Sequence, residues 1–161
     1  MKLTQERLKA VVSYDPLTGI FLWKERPLRI GRERTDKGWN SRYAHHVAGH
    51  SNGLYVLTSI DNHLYRAHHL AWLYMTGEWP PCFIDHRDLN GNNNSWANLR
   101  LATPSQNNAN TRITSANSSG FKGVSFHSAG AECGKPWQAS ISKEGKQKAL
   151  GIFATKEEAH A

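Results

Sequence analysis

The chain has 161 residues, a formal charge of +7 and 39% hydrophobic residues, enough for one ordinary domain or two small ones with modest cores. No run approaches the roughly 18–20 apolar residues of a membrane span, and the opening MKLTQERLK lacks the apolar segment of a signal peptide, so the expectation is a soluble, non-secreted protein. Two distant cysteines, Cys82 and Cys133, exclude a disulfide framework and a four-cysteine zinc site, leaving oxygen and imidazole as the main metal donors.

Residues 4–12 read as a short helix with Leu8, Val11 and Val12 on its apolar face. Residues 14–19 are dense in turn formers, and 20–23 form a strand. Residues 22–48 hold Lys24, Arg26, Arg29, Arg32, Arg34, Lys37 and Arg42 against Glu25, Glu33 and Asp36. With few aliphatic side chains, this segment reads as an exposed basic loop, either a solvated linker or an arm that contacts phosphate. His45 and His46 within it have no evident partner. An alternating, β-branched strand follows over 53–60, then the turn signal Asp61-Asn62 and a strand at 64–66.

Residues 67–75 are apolar at helical spacing and closed by Gly77. After Pro80-Pro81, a short strand over 82–84 delivers Asp85 and His86. A polar loop spans 87–97, and a return strand 99–101. Thr103, Pro104 and Gln106 form a helix start with a capping box, and the helix is expected to reach about residue 112. Residues 115–120 are a small polar linker. Strands are predicted over 124–126, 137–142 and 148–153, with a tight turn at Glu144-Gly145 between the last two. A second capping box at 155–158 opens a helix that the chain leaves within its first turns, which suggests a longer natural protein.

Eight asparagines follow Asp85-His86 by residue 110, although Asn favours neither helix nor strand. A strand end packed on a helix start can bring Asp85 and Asn107 together as a hard, incomplete shell of the kind magnesium accepts, its other ligands being water and phosphate oxygens. His86 can take a proton from water near neutral pH. Half a metal site beside a general base is the minimum equipment for phosphodiester hydrolysis. A polar loop with a hydrogen-bonded histidine would look the same at this level.

The run Ile84-Asp85-His86-Arg87-Asp88-Leu89-Asn90-Gly91, then Asn98-Leu99-Arg100, then 103–110 (TPSQNNAN) resembles the His-Asn-His (ββα-metal) endonucleases, in particular phage homing endonucleases. Upstream, residues 65–72 (YRAHHLAW) fit the lead-in segment of that family, and the likeness covers about residues 50–112. The resemblance implies that His86 is the general base, that Asp85 and Asn107 hold the divalent metal, and that Asn98 fixes the loop and the His86 ring. It also implies that His68 contacts the scissile phosphate or packs under the site. With Asn rather than His at position 107, the implied metal is Mg2+ or Mn2+ in preference to zinc. Asn90, Asn92, Asn93 and Asn94 are expected to shape the loop; Asn108 and Asn110 face DNA or are solvated.

Residues 118–161 contain SGFKGV (119–124), KPWQASI (135–141) and LGIFATKEEA (150–159), and resemble the plant ethylene-response-factor DNA-binding domain, a three-stranded sheet on one helix that lies in the major groove. Trp137, Ala139 and Ile141 are expected to face the helix. Lys122, Ser125, His127, Ser140 and Ser142 would then face DNA, with phosphate contacts by Lys122, Lys143, Lys146 and Lys148. Serine at several positions where the plant proteins carry long side chains implies weaker base reading.

The combined expectation is an α+β protein. It comprises an N-terminal β-rich region with the basic loop (1–49), a ββα-metal core (50–114) and a small sheet-plus-helix DNA-binding domain (118–161). The expected function is a metal-dependent DNA endonuclease of homing type that acts on double-stranded DNA as a monomer or weak dimer. The resemblance places it in the cytoplasm of a bacterial host, encoded by a phage. The rivals are a DNA-binding protein without cleavage and a less specific nuclease.

Overall fold

Helix α1 (Gln5–Val11) starts where the Thr4 hydroxyl accepts a hydrogen bond from the Arg7 amide at 3.2 Å, the N-cap role for which a short hydroxyl side chain is suited. The computed structural model describes residues 2–143 and 146–161, and the chain divides into two units, one ending at Thr103 and one starting at Pro104. In the first unit α1 leads directly into β1 (Val12–Tyr14), which pairs antiparallel with β2 (Phe21–Trp23). Residues 12–14 are therefore a strand and not the end of a helix and a turn. Val12 and Tyr14 are buried on one side of it, and the Tyr14 ring stacks on Phe21 at 4.6 Å.

The expected basic loop contains an eleven-residue helix, α2 (Glu33–Tyr43). The fully buried Asp36 carboxylate accepts hydrogen bonds from the Arg29 backbone (3.0 Å) and guanidinium (2.6 and 3.1 Å). Those bonds hold the Asp36 carboxyl well below the usual carboxylate range, at about 2. The helix seats itself through one acid, one amide and two aromatic rings, so the aliphatic stripe that reveals a helix in a sequence is missing. His45 lies 3.6 Å from Glu25, and the His46 ring lies 3.0 Å from the Ala44 carbonyl oxygen.

Strands β3 (His50–Ser51), β4 (Val56–Ile60) and β5 (His63–Arg66) form an antiparallel sheet in that order. Asp61 and Asn62, with φ of 50° and 62°, make the tight turn that Asn and Asp tolerate. Helix α3 (Ala67–Thr76) ends at Gly77, whose φ of 86° supplies the left-handed cap. The hairpin β6 (Phe83–His86) and β7 (Leu99–Ala102) completes the unit. Leu8, Val12, Phe21, Ile60, Leu70, Leu73, Ile84 and Leu99 share one hydrophobic cluster. Each fully buried Leu contributes about 1.5–3 kcal/mol relative to exposure. The segment before residue 50 thus shares its core with α3 and the β6–β7 hairpin.

In the second unit, α4 (Pro104–Ala109) stops three residues short of the expected end. Strands β8 (Val124–Phe126), β9 (Trp137–Lys143) and β10 (Lys146–Phe153) form an antiparallel sheet in the order β10-β9-β8. The short helix α5 (Ser128–Ala131) was not anticipated. Helix α6 (Lys156–His160) opens with the Thr155–Glu158 capping box and buries Ala159 against Val124 and Ala139. Ile141 is 55% exposed, so the helix covers Ala139 but not Ile141. The expected turn at Glu144-Gly145 lies outside the described residues. Among the described residues no helix is long and apolar enough to cross a membrane.

Candidate active site

Asp85 and His86 occupy the last two positions of β6, and both are buried, 5% and 6% exposed. Consecutive strand residues point to opposite faces, so both faces of the strand end are covered here. The register pairs Asp85 directly with Arg100 across the hairpin. Arg100 donates from Nε (2.9 Å) and Nη2 (2.7 Å) to Asp85 Oδ2. A buried carboxylate needs such a cation, because desolvation alone would disfavour its charged form.

Side-chain amides carry much of the hydrogen bonding that holds the loop after His86. Asn98 is buried, donates from Nδ2 to Asp88 Oδ1 (2.9 Å) and to the Asn93 carbonyl (2.8 Å), and accepts the Asp88 amide hydrogen at Oδ1 (3.0 Å). Asp88 also accepts from the Asn90 backbone (2.8 Å) and from Asn93 Nδ2 (2.7 Å). Burial pushes the Asp88 carboxyl upward, but the hydrogen bonds from Asn90, Asn93 and Asn98 outweigh it and leave the group below its ordinary range. Leu89 adopts φ of 63°. At Gly91 a Cβ would run into the Leu54 carbonyl and the Tyr55 ring, so only glycine lets the loop pass there.

The resemblance had assigned the His86 ring contact to Asn98. It is instead Asn94, 2% exposed, whose Oδ1 lies 3.3 Å from His86 Nε2. Asn94 Nδ2 donates to the Asn92 carbonyl (3.2 Å), and the Tyr14 hydroxyl donates to the Asn94 carbonyl (2.7 Å). The first bond fixes which way the Asn94 amide points and so presents its oxygen to His86. An amide oxygen at that position accepts a hydrogen bond only from the Nε2–H form of the ring. Asn98 anchors the loop; Asn94 orients the imidazole.

His68 packs against this imidazole. Their ring centres are 4.9 Å apart and nearly perpendicular, and Tyr55 lies 5.4 Å from His68 and 6.2 Å from His86. His68 is 3% exposed, and among the described residues its Nδ1 has no hydrogen-bond partner. Burial, reinforced by His69, His86 and Arg66, lowers its pKa to about 3. It is a neutral ring beneath the site. His69, half-buried beside it at 4.5 Å, is lowered by burial and by Arg66.

Among the described residues no three His, Cys, Asp or Glu side chains cluster as a metal shell. The donor set is one buried carboxylate beside neutral amides and an imidazole. Its chemistry fits a hard cation that keeps water and substrate oxygens, not a site built wholly from protein ligands. Asn107 lies on α4 in the second unit, half-buried, next to the exposed Asn108.

The residues expected to face DNA in the second unit do not share one face. Direct strand partners carry their side chains on the same side of a sheet. Ser125 pairs with Gln138, and Ser140 and Ser142 follow Gln138 at intervals of two. Lys148 pairs with Ile141, and Lys146 with Lys143, so both lie on the side of Trp137 and Ala139. The strand period of two, taken with the observed register, separates the lysines from the serines. Lys122 Nζ donates to the Ala109 carbonyl (3.0 Å), and His127 Nδ1 accepts the Gly130 amide hydrogen (2.9 Å) as the cap of α5. Ser140 Oγ accepts from Gln147 (3.0 Å). The Lys143 side chain lies outside the described residues.

The site roles of Arg100, Asp88 and Tyr55 were not anticipated from sequence, and Asn94 was expected only to shape the loop. Only Arg100 had a signal, since a tight β6–β7 register places it opposite Asp85.

The stretch that holds Asp85 and His86 lies within a region similar to known proteins. The chain is 36% identical over 83 residues to Protein 3.8 of Escherichia phage T7, which covers 51% of this chain and 65% of that protein. It is 36% identical over 77 residues to the Uncharacterized HNH endonuclease L560 of Acanthamoeba polyphaga mimivirus, covering 48% of this chain and 36% of that one. The chain thus spans less than two thirds of the length of either relative. No solved structure matches. Residues 65–109, from β5 to the end of α4, match the family described as HNH endonuclease, so the chain carries an HNH endonuclease domain with phage and viral relatives.

Proposed function

We propose that the protein is a metal-dependent DNA endonuclease of the phage homing type, cutting double-stranded DNA in the host cytoplasm. The observation that carries this reading is the buried Asp85–His86 pair inside the HNH-matching segment, with the His86 ring oriented by a buried amide. In this reading His86 Nδ1 takes a proton from water, the water oxygen bonds to phosphorus, and the P–O3′ bond breaks. The departing 3′ oxygen takes a proton from solvent, so the products are a 5′-phosphate and a 3′-hydroxyl. Asn94 holds the imidazole in the tautomer that this transfer requires, and Asn98 keeps the loop that carries Asn94 closed. Asp85, and by motif position Asn107, would hold a divalent cation, Mg2+ or Mn2+. When bound, it supplies charge stabilisation to the phosphate oxygens. The ββα-metal arrangement of β6, β7 and α4 belongs to the same reading, as does action as a monomer or weak dimer.

The C-terminal sheet, with Ser125, Ser140 and Ser142 on one face, would add DNA contacts. Lys122, His127, Lys146 and Lys148 would contribute only where their present roles and faces allow.

A supercoiled-plasmid assay tests the proposal, comparing wild type with His86→Ala, each with Mg2+ and with chelator. Open-circle or linear product is expected from wild type with metal. His86→Ala should lose about 10²–10⁴-fold in rate with salt-dependent DNA binding intact. Metal-independent cutting, or wild-type rates in the variant, would overturn the assignment of the base.

A further inference from the structure

A second, basic cleft lies in the first unit, away from His86. It has a volume of about 550 Å³, and Arg7, Lys24, Arg26, Arg29, Trp23 and Trp39 line it. Its four cations are not equivalent. Arg7 is neutralised by Asp61, with both carboxylate oxygens engaged at 2.7 and 2.9 Å. Arg29 is neutralised in the same way by the buried Asp36. Among the described residues neither Arg26 nor Lys24 has a carboxylate within ion-pairing distance.

Arg26 is nevertheless held more firmly than a solvated cation requires. Its backbone is clamped from both sides by one amide: Asn40 Oδ1 accepts from Arg26 N (2.8 Å), and Asn40 Nδ2 donates to the Arg26 carbonyl (2.9 Å). Its guanidinium lies over Trp39, with the central carbon 3.7 Å from the ring centre. Trp39 is itself wedged by Trp23 at 5.7 Å and Tyr43 at 5.4 Å. Stacking on an indole uses the face of a guanidinium and leaves its N–H edge available, the edge that matches phosphate. Burial and the neighbouring Arg29 lower the Arg26 pKa, so a bound anion would relieve a cost that the free protein carries.

We propose that this cleft is a second phosphate site, in which Arg26, fixed by Trp39 and Asn40, grips the backbone of duplex DNA away from the scissile bond. The inference rests on the endonuclease reading above. Its position gives the spacing. The cleft reaches Ser59–Asn62 at the far end of β4, whereas Tyr55, beside His86, precedes the near end. At about 3.3 Å per strand residue the two are roughly 17–20 Å apart. With the duplex axis laid along β4, one phosphate of each strand per 3.4 Å of axis makes that about 5–6 phosphates from the cut.

The test uses the full chain in chelator, so that bound duplex is not cut, and measures affinity across a salt series. Arg26→Ala should weaken binding about 3- to 10-fold at moderate salt and reduce the slope of log K against log salt by about 0.9, one phosphate contact. Arg26→Lys should keep the slope while losing part of the affinity. Neutral methylphosphonates are then placed one at a time through a turn of duplex on either side of the cut. One position, about 5–6 phosphates away, should weaken wild type as much as Arg26→Ala does and should not weaken Arg26→Ala further. Wild-type affinity and slope in Arg26→Ala, or the absence of any coupled phosphate, would overturn the proposal while leaving the endonuclease reading intact. Failure of the wild type to bind duplex in a salt-dependent way would overturn both.

Discussion

Replacing Asn98 gives the sharpest test of how the loop after His86 is held. Asn98→Ala deletes three hydrogen bonds, to Asp88 Oδ1, to the Asn93 carbonyl and from the Asp88 amide. At about 0.5–1.5 kcal/mol each the loss is about 2–4 kcal/mol. The charge on Asp88 adds nothing to that sum, because the residue is exposed. For a first unit of this size the loss corresponds to a fall in Tm of roughly 10 °C or more. Asn98→Asp keeps the shape and the acceptor for the Asp88 amide, but it turns two donors into acceptors and sets a carboxylate against Asp88. It should therefore be less stable than Asn98→Ala at neutral pH. The carboxyl introduced by N98D would have a folded pKa above its ordinary value of about 3.9. The native state then binds the extra proton, and N98D should regain stability as the pH falls through that raised pKa. Adding Asp88→Asn restores a donor opposite the new carboxylate, and a double-mutant cycle should give a coupling of about 1–3 kcal/mol. Denaturant unfolding followed by tryptophan fluorescence reads all five proteins (wild type, N98A, N98D, D88N and the double variant), since Trp96 packs on Trp72 at 5.2 Å beside this loop. Stability of N98A within about 0.5 kcal/mol of wild type, or no recovery of N98D in acid or with D88N, would refute the account.

Two further outcomes follow from the same geometry. Arg100→Ala removes the guanidinium from the buried Asp85 carboxylate and should cost about 3–5 kcal/mol in chelator; added Mg2+ should then raise its Tm more than that of wild type, and equal shifts would argue against Asp85 as a metal ligand. His68, with its pKa lowered from 6.5 to about 3 by burial, stays neutral in the fold while the unfolded chain takes a proton below pH 6.5. Wild type should therefore lose about 1.4 kcal/mol per pH unit at this group as the pH falls from 6.5 towards 3, and His68→Phe should flatten that dependence. Parallel urea-unfolding curves for the two proteins between pH 7 and 4.5 would refute the buried neutral ring.

The parts of the fold that were legible in the sequence are those with a hydrophobic period or a local hydrogen-bonding signature. The β4–β5 hairpin has alternation and an Asp-Asn turn, α3 has an apolar stripe closed by Gly77, and α6 has its capping box. Helix α2 was illegible because its anchors are Asp36, Asn40, Trp39 and Tyr43, residue types that look like an exposed loop when their partners are unknown. Strand β1 was missed because Val12 also fits the apolar face of the preceding helix, and only pairing with β2 decides between them. In the C-terminal sheet the strands were legible but the faces of the lysines were not, since parity across a turn depends on a register that local sequence does not specify.

The asparagine-rich stretch shows where sequence reading stops at the site itself. Asp85 and His86 stand out through motif order, and the loop asparagines stand out as turn formers. Which amide meets the His86 ring is a different question, and the answer depends on long-range contacts. Asn94 is selected because the Tyr14 hydroxyl, eighty residues earlier, holds its carbonyl, and because the Trp96 amide is tied to the Pro16 carbonyl at 2.8 Å. Both anchors lie in the N-terminal segment around β1. That segment therefore does more than extend the core: it sets the height of the loop against His86. The amides suit this position because the loop is too polar to be held by apolar burial, and each Asn offers a donor and an acceptor to neighbouring backbone without adding charge beside Asp85. A substitution in the β1 region, far from residues 84–110 in sequence, should therefore disturb the imidazole before it disturbs the carboxylate, whose guanidinium partner comes from the adjacent strand.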